Sequence, residues 1–117
     1  MKIVAASCAN LREVNPQRAW TEILAERAEV LLLLGDNVYL ERDDHTDPAA
    51  LAAELRALYA RQLAEPGLRS VLRDLRARGG QLAAIYDDHD FIGNNRCGAD
   101  CGDALRRAAR AAFAAAF

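Results

Sequence analysis

Val30-Leu31-Leu32-Leu33-Leu34-Gly35-Asp36-Asn37-Val38-Tyr39 is the stretch whose reading decides the fold. Its first five residues are apolar without interruption, and the run stops at Gly35-Asp36. A strand with one wet face alternates apolar and polar residues. A strand apolar at every position reads as covered on both faces, the mark of a parallel sheet in an α/β protein. Two flanking segments read as strands as well: the short apolar run Lys2–Ala6 and the QLAAIY segment Gln81–Tyr86.

Between these runs the spacing of apolar residues changes to a helical period. Asn15-Pro16 offers an N-cap followed by proline at the first helical position, and Trp20, Ile23, Leu24 and Arg27 predict an amphipathic helix from Pro16 to about Glu26. Asp47-Pro48 repeats that start, and Leu51, Leu55, Leu58 and Tyr59 form one face of a helix to about Gln62. Pro66-Gly67 breaks it. Leu68, Val71, Leu72 and Leu75 mark a shorter helix closed by Gly79-Gly80. Asp87 to Gly102 is a polar loop, and the alanine-rich stretch Asp103–Phe117 is helical, with Leu105, Ala109, Ala112, Phe113 and Phe117 on one side. The order β-α-β-α-α-β-loop-α predicts a parallel sheet with right-handed crossovers. Three strands make a small sheet for this architecture. The last helix also shows no stop signal, so the chain reads as part of a longer domain.

Composition narrows the function classes. The 117 residues are 52% hydrophobic and 27% charged, with net charge -2, a globular profile for one domain at most. No Lys/Arg block is interleaved with aromatics, so no nucleic-acid-binding surface is expected. The longest apolar run is Val30–Leu34, far short of a membrane span, and no signal-peptide core precedes Ser7-Cys8, which reads as a cytoplasmic protein if Met1 is the native start. Cys8, Cys97 and Cys101 are odd in number and read as thiols rather than a disulfide framework. His45, in a charged loop, reads as solvated.

The chemistry-bearing residues collect after the strands. Ser7, Cys8 and Asn10 follow the first, Gly35, Asp36, Asn37 and Tyr39 the second, and Asp87, Asp88, His89, Asp90, Asn94 and Asn95 the third. Ligands of open parallel sheets bind beyond the carboxyl ends of the strands, so these three groups are expected to converge. Three carboxylates in four residues repel one another, and a cation is the natural remedy for that repulsion and for their desolvation. Carboxylate suits calcium, manganese and iron, while a Cys8 thiolate and a Tyr39 phenolate favour iron. No GxxxxGK[ST], GxGxxG or GxSxG motif offers another route.

The succession SC, LLLLGDNVY, IYDDHDFIGNN and an alanine-rich helix resembles the alkaline phosphatase D (PhoD-like) family of metallophosphoesterases across nearly the whole chain. Tyr86 stands where that family usually has Trp, and Cys97–Cys101 looks like an addition. The resemblance implies a metallophosphoesterase β-sandwich flanked by helices. Residues 1–117 would be the N-terminal portion of that single domain, its first β-α-β-α-α-β half. It implies hydrolysis of phosphate mono- or diesters on a small phosphate ester substrate, with Fe3+ and Ca2+, or Mn2+, Zn2+ or Mg2+ in their place. Carried over, Cys8, Asp36, Tyr39 and Asp88 are metal ligands, with Asp36 bridging. His89 is the catalytic residue that faces the phosphoryl oxygens. Asn94 or Asn95 holds phosphate or metal, and Asp87 and Asp90 orient the others from behind. The remaining ligands of such a centre, mostly His and Asp, come from later in the domain. No His follows His89 and no Asp follows Asp103. The 117-residue form is therefore expected to be weakly active or inactive. The alternative is a non-catalytic α/β metal- or partner-binding remnant that self-associates through exposed apolar faces.

Overall fold

The computed structural model describes residues 1–11 and 18–117. Three strands, β1 (Ile3–Ala6), β2 (Val30–Leu34) and β3 (Gln81–Ile85), form one parallel sheet in that order. Ile3 lies opposite Val30 and Val30 opposite Gln81, while Leu34 pairs with Ile85. The register brings the carboxyl ends of all three strands to one edge. Four helices connect and follow the strands: α1 (Ala19–Glu26), α2 (Pro48–Leu63), α3 (Pro66–Ala77) and α4 (Asp103–Ala116). The expected α/β class, parallel sheet and element order are thus present. The Asn15-Pro16 helix start lies outside the described residues.

The helix ends follow from local chemistry. The Asp47 side chain accepts the Ala49 N–H at 2.9 Å and Pro48 opens α2. Pro66 does more than break the preceding helix, because it is the first residue of α3. Proline has the required φ there and its missing N–H is no loss, while Glu65 caps the helix by accepting the Leu68 N–H at 2.6 Å. At the other end Gly79 takes a left-handed φ of 72°, which lets the Gly80 N–H reach the Leu75 carbonyl at 2.8 Å.

Two apolar clusters fill the molecule. Under the sheet, Leu31 and Leu33 pack with Trp20 of α1 and with Leu68, Val71 and Leu75 of α3. Beyond the strand ends, Leu51, Leu55 and Tyr59 of α2 and Ala109 and Ala112 of α4 pack with Val38, Leu40, Phe91 and Ile92 from the loops after β2 and β3. The second cluster therefore seats the two loops that carry the candidate site.

The opposite sheet face departs from the expectation of cover on both sides. Among the described residues it stays open: Ile3, Leu34 and Ile85 are exposed. Unbroken apolarity marks a strand fit to be buried on two faces, but the burial along β2 alternates because α1 and α3 cover only one. His45 also departs from its solvated reading. The loop after β2 folds back on α2, where Glu54 accepts the Glu41 N–H at 2.6 Å and lies 2.7 Å from His45 Nε2, leaving that imidazole 8% exposed. No helix among the described residues is long and apolar enough to cross a membrane.

The two faces of β2 predict unequal costs at adjacent positions. Leu33 is 4% exposed and Leu34 is 47% exposed. Leu33→Ala is expected to lower stability by about 2–5 kcal/mol, and Leu34→Ala by less than about 1 kcal/mol. Urea unfolding of both variants checks this, and equal costs would mean that the open face is covered in solution.

Candidate metal centre

The loops after the three strands are stitched together by their backbones. The Cys8 N–H meets the Gly35 carbonyl at 3.4 Å and the Ala9 N–H meets the Asp36 carbonyl at 2.9 Å, so the β1 loop continues alongside the β2 loop. The Leu40 N–H reaches the His89 carbonyl at 3.2 Å. Gly35 has φ 89°, and a Cβ there would stand 2.6 Å from the Asp87 Cβ. Only glycine permits both that φ and that approach.

Asp90 holds the β2 and β3 loops at their crossing. It is fully buried, and its Oδ2 accepts the Asn37 N–H at 3.0 Å and the Asn37 side-chain Nδ2–H at 2.6 Å. Its Oδ1 accepts the Asp87 N–H at 2.7 Å, and its carbonyl accepts the Tyr59 hydroxyl at 3.0 Å. Burial pushes the Asp90 carboxyl above the usual carboxylate range, although the Asp87 and Asn37 donors pull the other way. Asn37 closes the crossing by donating from Nδ2 to the Ile85 carbonyl at 2.8 Å.

On this crossing the candidate ligands meet. One donor atom each from Asp36, Asp88 and His89 lies within 4.8 Å of the others. Asp36 Oδ2 accepts the Tyr39 hydroxyl at 3.1 Å and lies 3.7 Å from Cys8 Sγ. Its other oxygen, Oδ1, is buried with no hydrogen-bond partner among the described residues. The Tyr39 and His89 rings are in contact, with centroids 4.4 Å apart. Burial, and then the bonds to Cys8 and Asp36, push the Tyr39 phenol well above its ordinary value. Burial likewise raises Asp88, but the N–H groups of Asn95 and His89 outweigh it and leave this carboxyl below the usual range. Asp88 is thus held as an anion beside the carboxylate of Asp36.

Asp36, Asp88 and His89 could together hold a cation: two carboxylates and an imidazole offer oxygen and nitrogen, with the Tyr39 hydroxyl and the Cys8 thiol beside Asp36. An orphaned buried carboxylate oxygen costs free energy that a cation at that point would offset. Three residues around the centre, Cys8, Asp36 and Asn95, hold left-handed φ angles of 58°, 51° and 56° without being glycine. Such strain gathers where a site needs a fixed geometry.

Comparison of the chain with protein-family models, curated proteins and solved structures gave no match. The site is therefore read from its own geometry.

Of the residues singled out in the sequence, Cys8, Asp36, Tyr39, Asp88 and His89 come together. Asp87 is exposed, and its Oδ1 accepts the Asp88 N–H at 2.9 Å, which orients that neighbour. Asn95 meets Asp88 through its backbone, its N–H lying 2.5 Å from Asp88 Oδ2, while the Asn94 N–H turns to Asp43 at 3.1 Å. Cys97 and Cys101 are not disulfide-bonded and flank a separate 3-10 turn, Gly98–Asp100. Sequence reasoning placed Asn37 at the strand end without giving it a task. Its signal was the amide directly after Gly35-Asp36, from which Nδ2 reaches the carbonyl of Ile85 in the next strand.

Asp90→Asn is expected to destabilise the protein by about 1–3 kcal/mol, since an amide replaces one acceptor oxygen by a donor facing other donors. Thermal or urea unfolding measures this. An unchanged midpoint would mean that the loop crossing does not depend on the carboxylate.

Proposed function

We propose that this chain carries part of a two-cation phosphoesterase centre of the alkaline phosphatase D type, which hydrolyses phosphate mono- or diesters. The observation that carries this reading is the grouping of one donor atom each from Asp36, Asp88 and His89 within 4.8 Å of one another, in which Asp36 also keeps a buried oxygen, Oδ1, without a partner among the described residues. The open apolar face of the sheet supports it, being the face that the second sheet of a metallophosphoesterase sandwich would cover.

In this reading Cys8, Asp36, Tyr39 and Asp88 hold the cations, Fe3+ with Ca2+ or Mn2+, Zn2+ or Mg2+ in their place. Bound cations polarise the phosphoryl oxygens and neutralise charge on them. The chain's own residues do the rest. Asp36 presents Oδ1 to one side while Oδ2 keeps Tyr39 and Cys8 in place. His89, whose ring rests on Tyr39, presents an N–H to the phosphoryl or leaving oxygen. Asn94 and Asn95 are exposed on the loop that carries Asp88, and the side-chain amide of one or the other would meet a substrate oxygen or a cation. The positions of these groups supply the catalysis, since in-line displacement needs alignment more than covalent help.

Titration of the 117-residue chain with Fe3+ tests the reading. The expected result is tight binding with a visible tyrosinate-to-iron absorption. Tyr39→Phe is expected to abolish that band, and Asp36→Asn to weaken binding beyond the roughly 10–100-fold typical of an outer-shell loss. Hydrolysis of p-nitrophenyl phosphate and its bis-ester with Fe3+ and Ca2+ is expected to be weak, because the described residues bring together a single group of three metal-ligating side chains. Failure of the wild-type chain to bind Fe3+, Mn2+ or Zn2+ would sink the metal-centre reading.

One observation favours a second reading, a non-catalytic α/β metal- or partner-binding module that self-associates: Ile3, Leu34 and Ile85 stand exposed on the open sheet face. Sedimentation velocity separates the two. A stable dimer that Leu34→Lys dissociates, together with no hydrolysis at any metal loading, would favour the second.

A further inference from the structure

Asp43 lies in the loop between β2 and α2, four residues beyond Tyr39, and nothing in the sequence gives it a task. In the structure this loop is anchored on either side of Asp43 by one carboxylate of α2. Glu54 Oε1 accepts the Glu41 N–H at 2.6 Å, and Glu54 Oε2 meets His45 Nε2 at 2.7 Å. Asp43, held between those anchors, faces residues 93–96. Its Oδ1 accepts the Asn94 N–H at 3.1 Å, and its carbonyl accepts from Arg96 Nη1. Arg96 Nη2 in turn donates to the Asp100 carbonyl at 2.9 Å. Gly93 is shaped to admit Asp43: its φ is 118°, and a Cβ there would stand 2.5 Å from Asp43 Oδ1 and 2.8 Å from Asp43 Cα.

The pinned segment is also the one that holds a candidate ligand. The Asn95 N–H meets Asp88 Oδ2, and the Gly93 N–H meets the Asp88 carbonyl at 2.9 Å. Asn95 has a left-handed φ of 56°, which asparagine tolerates better than most non-glycine residues. Asp43 holds the residue before it through the Asn94 N–H. We propose that Asp43 is a positioning residue of the metal centre: by pinning Gly93–Arg96 it keeps the Asn95 N–H on Asp88 and so fixes the direction in which that carboxylate points. The inference rests on the metal-centre reading above. A ligand oriented from behind binds its cation about 10–100-fold more tightly than one left free to turn.

The test uses the 117-residue chain, Mn2+ titration followed by electron paramagnetic resonance, and hydrogen exchange at the Asn95 amide. Asp43→Ala is expected to weaken Mn2+ binding roughly tenfold or more and to speed exchange at Asn95. Asp43→Asn keeps an oxygen for the Asn94 N–H and is expected to restore both to near wild-type values, which a general charge effect would not do. If Asp43→Ala binds Mn2+ as wild type does, the pinning role is overturned and the metal centre stands. If Asp43→Asn is as impaired as Asp43→Ala, the role of the hydrogen bond is overturned. Should Asp43→Ala fail to fold, Asp43→Asn and the Asn95 exchange rate carry the test, with fast exchange in Asp43→Asn overturning it. Absence of Mn2+ binding by the wild-type chain overturns the metal reading and this inference with it.

Discussion

The buried carboxylate of Asp90 decides where everything around the candidate site can be. It has no exposure to solvent, and its two oxygens gather three N–H donors from two different loops. A carboxylate out of water needs such partners. Here they come from Asn37, directly after Asp36, and from Asp87, directly before Asp88. The bonds that make Asp90 tolerable in the interior are therefore the same bonds that set Asp36 beside Asp88. Tyr59 extends this constraint into the apolar cluster of α2 and α4, because its hydroxyl rests on the Asp90 carbonyl.

Around that anchor the polar groups divide into satisfied and unsatisfied ones. Asp87, Asp90 and Asn37 spend their hydrogen bonds on backbone groups and, in the case of Asn37 and Asp90, on each other, and so hold the loops. Asp36 is different. One oxygen is engaged by Tyr39 and Cys8, and the other is buried alone among the described residues. Native proteins seldom leave such an atom without cause. In the proposed reading a cation beside Asp36 and Asp88 would relieve both that unpartnered oxygen and the repulsion between the two carboxylates. The left-handed backbone at Cys8 and Asp36 lies where the loops after β1 and β2 bond to each other, and that at Asn95 lies where its N–H meets Asp88 of the same loop.

The molecule is uneven in how it buries apolar surface. The cluster beneath the sheet and the cluster beneath the loops are both well enclosed, yet one face of the sheet shows its leucine and isoleucine side chains to solvent. That face lies at the back of the strands whose ends carry the candidate ligands. Its openness fits a sheet made to receive a second layer, whether another part of a sandwich or a second copy.

The sequence by itself determined the elements. Continuous apolar runs separated by helical spacing, with Asp47-Pro48 at a helix start and Gly79-Gly80 at a helix end, place three parallel strands and the helices between them, because side-chain period and capping chemistry are local properties. It also located the polar groups at the strand ends, since Cys8, Asp36, Tyr39, Asp88 and His89 follow the strands directly. Only the tertiary structure decided which of those groups work on one another. That Asp90 binds Asn37 and that Asp43 pins the Gly93–Arg96 segment are contacts between residues far apart in the chain, and the shelter of His45 by Glu54 and the unpartnered oxygen of Asp36 likewise depend on how the loops fold back. Whether the second face of β2 is covered was likewise beyond the sequence. An apolar strand records that it can be buried on two sides, and the packing of α1 and α3 on one side alone fixes which side is.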